Sequence, residues 1–176
     1  MQKYVITGGP GVGKTTTLLE LQKLGHEIVP EAARQVIAEE QQKLNGILPW
    51  TNLTGFQSLV IQRQLNLENQ VSKKIAFLDR GILDNLAYCD VNDIPAPKEL
   101  LELKSSHKYS AVFLLDPLPF YTIDMQRKED RETAQKVHEA INKVYKEEGY
   151  NIIIVPVLSP SERAKFIIEH VLVNTK

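Results

Sequence analysis

Near the N-terminus, Gly8-Gly9-Pro10-Gly11-Val12-Gly13-Lys14-Thr15 fits the pattern G-x-x-x-x-G-K-[ST] at every fixed position. Residues of these types in this order can hold a polyphosphate. Glycines let successive backbone N–H groups turn inward toward phosphate oxygens. A helix starting near Gly13 adds the positive end of its dipole. Lys14 can then reach the β- and γ-phosphates, the Thr15 hydroxyl can ligate Mg²⁺, and Thr16 stands beside the α-phosphate. The competing explanation is a glycine-rich turn that matches by accident. Context weakens it, because Lys3–Thr7 (KYVIT) reads as a strand and Lys14–Leu24 as a helix.

Carboxylates form the second group of candidates. Glu31 follows the short apolar run that ends at Val29, and Arg34 comes three residues later, so on a helix the two share a face. Glu31 is either a chemical participant or a first-turn carboxylate stabilised by the helix dipole. Asp79 closes the run Ile75-Ala76-Phe77-Leu78. An acid after four apolar residues is the pattern that holds Mg²⁺ directly or through water. Arg80 follows Asp79 directly. Arg80 and Asp84 are four apart, so one reading is a plain surface ion pair worth under about 1 kcal/mol. Asp116 also ends an apolar run, but Pro117 and Pro119 mark a turn there.

These residues need elements to position them. Strands are expected at 3–7, 26–29, 74–78, 111–115 and 151–155, all short and apolar. Helices are expected at 14–24, 31–41, 54–73, 82–89, 97–105, 133–148 and 159–171, with Gly149 ending the sixth and Pro160 opening the last. Residues 43–53, with Asn45-Gly46 and Pro49, read as a loop or partial helix. Alternating strands and helices imply a parallel sheet covered on both faces. Strands that are apolar throughout agree, since parallel strands are buried on both sides. The binding crevice of such a sheet lies at the carboxyl ends of its strands. Gly8–Thr15, Glu31 and Asp79 all fall just there.

Composition excludes several classes. The chain has 176 residues, of which 43% are hydrophobic and 24% charged, an ordinary globular balance. One cysteine, Cys89, rules out an intrachain disulfide and any multi-cysteine zinc site. Cys89 reads as a small core residue. The four histidines show no metal-binding spacing and read as surface or internally satisfied side chains. A net charge of -1 gives no basic footprint, so nucleic acid is not an expected partner. No apolar stretch approaches the roughly 20 residues that span a bilayer, and residues 1–10 lack a secretory h-region. The expectation is a soluble, cytoplasmic protein with no membrane partner.

The segments YVITGGPGVGKTT, GHEIVPEAAR, FLDRG with Asp84, and GYNIIIVP together resemble one group of P-loop NTPases. It is the AAA-like ATPase family related to the ribosylnicotinamide kinase domain of a bacterial NAD regulator, and it shares its layout with thymidylate and deoxynucleoside kinases. The resemblance covers nearly the whole chain. It implies a three-layer sandwich with a five-stranded parallel sheet in the order 2-3-1-4-5. It also implies a carboxylate base at Glu31, an acceptor-binding region over 31–73, and a lid over 117–132. Arg127 and Arg131, four apart, would close that lid on a triphosphate; the other reading of the segment is a solvated charged helix. Arg34, Trp50, Gln57 and Arg80 become acceptor contacts, with Trp50 alternatively a packing anchor.

The expectation is thus one P-loop NTPase or kinase-like domain over 1–176 that binds ATP, with GTP the alternative, together with Mg²⁺. It transfers the γ-phosphoryl group to a small nucleoside-like acceptor. A regulatory NTPase that hydrolyses slowly and signals to a protein partner is the other function class. A homodimer is compatible with either.

Overall fold

The computed structural model describes residues 1–119 and 130–173. Five strands make the sheet: β1 (Gln2–Thr7), β2 (Glu27–Val29), β3 (Ile75–Asp79), β4 (Ala111–Leu115) and β5 (Ile152–Val155). All pairings are parallel and the order is β2-β3-β1-β4-β5, as the resemblance implied. β1 lies at the centre, so the loop that follows it opens midway along the carboxyl edge.

Alternation along the strands splits the core into two layers. Tyr4, Ile6, Phe77, Phe113 and Leu115 face α1 (Lys14–Lys23) and α7 (Pro160–Val173), where Leu18, Leu21, Ala164 and Ile167 are buried. Val5, Leu78, Val112 and Leu114 face the other way, toward α4 (Asp84–Val91), α5 (Lys98–Ser106) and α6 (Arg131–Glu147). A satellite cluster of Ala32, Val36, Ile37, Phe56 and Val60 joins α2 (Ala32–Glu40) to α3 (Leu53–Asn69) beside the site.

Helix ends follow their local chemistry. The Asn52 side chain accepts the Gly55 N–H at the start of α3, and Asp130 accepts the Thr133 N–H at the start of α6. Ser159 and Glu162 form a capping box ahead of α7, the Ser159 N–H donating to Glu162 Oε2 at 2.9 Å. The third helix ends at Asn69 rather than 73. Its last expected turn is a connection in which the Ser72 and Lys73 N–H groups donate to Glu27. No helix among the described residues is long and apolar enough to cross a membrane.

Candidate active site

Gly13 is left-handed, φ 87°, and lets the chain turn from the loop into α1. Thr16 and Thr17 donate to its carbonyl. Lys14 is buried and its Nζ donates to the carbonyl oxygens of Gly8 and Gly9, at 3.0 and 2.9 Å. Burial lowers its pKa to about 8, helped by Arg80 and resisted by Asp79, Glu31 and Asp84.

Thr15 and Asp79 meet as expected. The Thr15 hydroxyl donates to Asp79 Oδ2 at 3.1 Å, across the gap between α1 and β3. The other oxygen, Asp79 Oδ1, is buried with no hydrogen-bond partner among the described residues. Burial raises the pKa of Asp79 above the ordinary carboxylate range, and the negative charge of Glu31 adds to this, against Lys14 and Arg80. A hard cation suits such a pair. An unsatisfied carboxylate oxygen beside a hydroxyl is the oxygen donor set that Mg²⁺ takes, with water completing its shell.

Glu31 is the N-cap residue of α2, directly after β2. Its two oxygens are held by two arginines: Arg34 Nε donates to Oε2 at 2.9 Å and Arg80 Nε to Oε1 at 3.0 Å. Burial pushes its pKa upward, but Arg80, Lys14 and Arg34 outweigh that and hold it well below the usual range. It stands in the cleft as a carboxylate.

Arg80 is the hub. It has φ 76°, a conformation that costs a non-glycine residue roughly 1 kcal/mol. Neighbours hold it there. Its Nη1 lies 3.4 Å from Gly8 O and from Asp84 Oδ1, and its guanidinium lies 5.2 Å from the Tyr88 ring centre. Gln64 Nε2 donates to its carbonyl.

The pair of Arg80 and Asp84 is therefore not a surface one, because Asp84 is buried and Arg80 is largely covered. Asp84 also accepts the Thr7 hydroxyl at 2.5 Å, the Tyr145 hydroxyl at 2.7 Å and the Gly81 N–H at 3.1 Å. It welds the ends of β1 and β3 to α6.

One cavity of about 900 Å³ runs from Pro10, Gly11 and Gly13–Thr16 past Glu31, Arg34 and Arg80 to Trp50, Phe56 and Gln57. Trp50 is half-exposed on its wall. Gln57 is buried, and its side-chain oxygen has no partner among the described residues. Arg131, at the start of α6, is exposed and does not line the cavity, whereas Thr133 does. Arg127 lies outside the described residues.

Two site residues escape a reading of the sequence. Arg163 on α7 is buried and donates to three carbonyls: Val12 in the loop at 2.5 Å, Pro156 at 2.9 Å and Asp116 at 3.0 Å. His138 on α6 accepts the Gly9 N–H on Nδ1 at 3.2 Å. Neither sits in a motif. The one available signal was that 138 falls on the apolar stripe of Ala134, Val137, Ile141 and Val144.

A family model described as an AAA domain matches residues 3–163. The chain belongs to this AAA domain family. No curated protein matches the sequence. Among solved structures, this AAA domain is similar to shikimate kinase from Aquifex aeolicus vf5, with 18% identity over 99% of this chain and 98% of that one and a TM-score of 0.62. It is similar to a NadR protein solved in complex with NR at 18% identity and a TM-score of 0.73, over 99% of this chain and 50% of that one. A deoxyadenosine kinase from M. mycoides aligns at 16% identity over 98% of this chain and 100% of that one, with a TM-score of 0.66. The likeness is one of fold: a P-loop kinase-like sandwich. This chain spans about half the length of NadR.

Proposed function

We propose that this AAA domain is a kinase that transfers the γ-phosphoryl group of Mg²⁺·ATP to a hydroxyl of a neutral, nucleoside-like acceptor. One observation carries the reading. A single cavity joins the phosphate-binding loop to a chamber lined by Trp50, Phe56 and Gln57, with Glu31 and Arg80 between the two ends. A nucleotide alone needs the first end only.

The chemistry of the far chamber argues for the acceptor class. Its walls are aromatic and aliphatic, with amides from Gln57, Asn85 and Asn92. The two arginines there, Arg34 and Arg80, are balanced by two carboxylates, Glu31 and Asp84. That set favours a planar, uncharged ring with N–H groups for the Gln57 oxygen over an anionic acceptor. A deoxyadenosine kinase among the fold neighbours agrees with this class.

In the proposed reaction the loop amides and Lys14 hold the β- and γ-phosphates. Thr15 and Asp79 would hold Mg²⁺, which when bound supplies positive charge to the phosphate oxygens. The acceptor oxygen forms a bond to the γ-phosphorus as the bond to the β,γ-bridging oxygen breaks, and ADP leaves with that oxygen. The acceptor's proton passes to Glu31. A strongly acidic carboxylate suffices because the loose transition state makes little early demand on a base. Arg80, beside Gly8, is better situated than Arg131 to neutralise charge on the transferring group.

Transfer of labelled γ-phosphate to a panel of nucleosides, with shikimate as the anionic comparison, tests the reading. A labelled nucleoside is expected, and a true acceptor should stabilise the fold by about 2.7 kcal/mol at a hundredfold excess over Kd. Lys14→Ala should lower turnover by about 10³-fold or more with little change in the melting temperature of the free protein. ATP hydrolysis without any phosphorylated acceptor would replace the kinase by a regulatory NTPase.

A further inference from the structure

The reaction above leaves His138 unused, yet it is a polar side chain buried directly behind the phosphate-binding loop. α6 lies very close to the loop here. A Cβ on Gly9 would stand 2.5 Å from the Ala134 carbonyl oxygen and 3.1 Å from His138 Cβ, so only glycine fits. Into this contact His138 presents Nδ1, which accepts the Gly9 N–H at 3.2 Å.

The consequence comes from peptide geometry. The unit joining Gly8 to Gly9 is planar and trans, so the Gly8 C=O points opposite to the Gly9 N–H. With the N–H pinned on His138, the Gly8 carbonyl is aimed at the cleft. There it accepts Lys14 Nζ at 3.0 Å and Arg80 Nη1 at 3.4 Å. One imidazole thus fixes the plane on which both cations rest.

We infer that His138 is a positioning residue for the phosphate-binding loop: its Nδ1 lone pair sets the Gly8–Gly9 peptide plane and so stations Lys14 and Arg80 for the polyphosphate. This requires the ring proton on Nε2. The surroundings supply a neutral ring. Burial holds the pKa below the ordinary histidine value and Lys14 assists, while Asp116 and Glu139 pull the other way. The inference rests on the nucleotide reading of the loop for its purpose, and on the Gly9 contact alone for its geometry.

The test takes the full chain with two substitutions. His138→Asn offers an amide oxygen close to the position of Nδ1; His138→Leu keeps the burial and offers none. Nitrogen NMR of the nucleotide-free protein near neutral pH should find Nδ1 of His138 unprotonated and Nε2 protonated. Calorimetry with Mg²⁺ and a non-hydrolysable ATP analogue should place the Asn variant within about threefold of wild type. The Leu variant, left with a buried unpartnered N–H, should bind about tenfold more weakly or worse. A proton on Nδ1, or equal affinities for the Asn and Leu variants, overturns the inference. If the Leu variant does not fold, the tautomer and a tenfold loss in the Asn variant decide against it, and a retained affinity with the expected tautomer decides for it. A wild-type chain that binds no nucleotide refutes the kinase reading instead, and the tautomer then settles the role of His138 in orienting the peptide.

Discussion

Asp79 ends β3 and Glu31 follows the neighbouring strand β2, yet their surroundings displace their titrations in opposite directions. Asp79 is pushed up by burial and by the charge of Glu31, with one oxygen on Thr15 and the other without a partner among the described residues. Glu31 is pulled down because Arg80 and Arg34 each hold one of its oxygens. On the proposed reading the phosphate end of the site is therefore unfinished without a cation, whereas the acceptor end is neutralised in advance. Carboxylates whose environments drive their pKa values apart commonly divide roles in this way. In the proposed reaction the division is between a metal-holding acid and a hydroxyl-facing base.

The comparison can be broken most decisively at Glu31. Glu31→Gln should lower single-turnover transfer by about 10²- to 10⁴-fold while nucleotide binding survives. It also leaves the largely covered Arg80 with one charged partner fewer. The stability that Glu31 provides is fully present above its unfolded value, near 4.5, and is lost as pH falls through its lowered folded value. Wild type should therefore lose stability over that acid range and the variant should lose less. Parallel melting curves across pH would remove the pre-neutralised acceptor end from the argument.

Asp79→Asn should act with the opposite sign on stability. A raised folded pKa gives stability that is fully present below the unfolded value, 3.8, and lost as pH rises through the folded value. The ionised side chain thus strains the metal-free protein at neutral pH. The variant should melt higher than wild type there, with the advantage shrinking in acid. Turnover should fall by about 10²-fold and the Mg²⁺ requirement should rise. A lower melting temperature for the metal-free variant would contradict the unfinished phosphate end.

Gln57→Leu sharpens the contrast within the acceptor chamber. It removes a buried oxygen that has no partner among the described residues, so the free protein should be no less stable. KM for the acceptor should rise by about tenfold with kcat and nucleotide affinity nearly unchanged. A rise in KM for ATP instead would assign Gln57 to the wrong end of the cavity.

The two ends also differ in how far the sequence reveals them. The loop is contiguous and works largely through backbone N–H groups, so spacing alone exposed Gly8 to Thr15. Strand runs were equally plain because parallel strands are apolar throughout. Their spatial order came from the resemblance, since nothing in residues 2–7 says that 75–79 and 111–114 flank them. The role of Asp84 stays open in the sequence for a related reason. Spacing offers Arg80 as its neighbour, but Thr7 and Tyr145 bury it from 77 and 61 residues away. His138 and Arg163 touch the loop across 129 and 151 residues, and no local pattern carries such contacts.

The central position of β1 has a consequence for how the chain is made. The glycine loop is synthesised ahead of the segments its strand pairs with, which begin at Ile75 and Ala111. Contacts that distant in sequence close late in folding. Its backing from His138 and Arg163 emerges later still. Until those segments are made the chain carries a complete motif and no assembled site, so on the proposed reading nucleotide would act only on the finished fold, as a ligand that draws the last assembly step forward. A fragment ending before Arg163 should accordingly retain every residue of the pattern and fail to bind ATP.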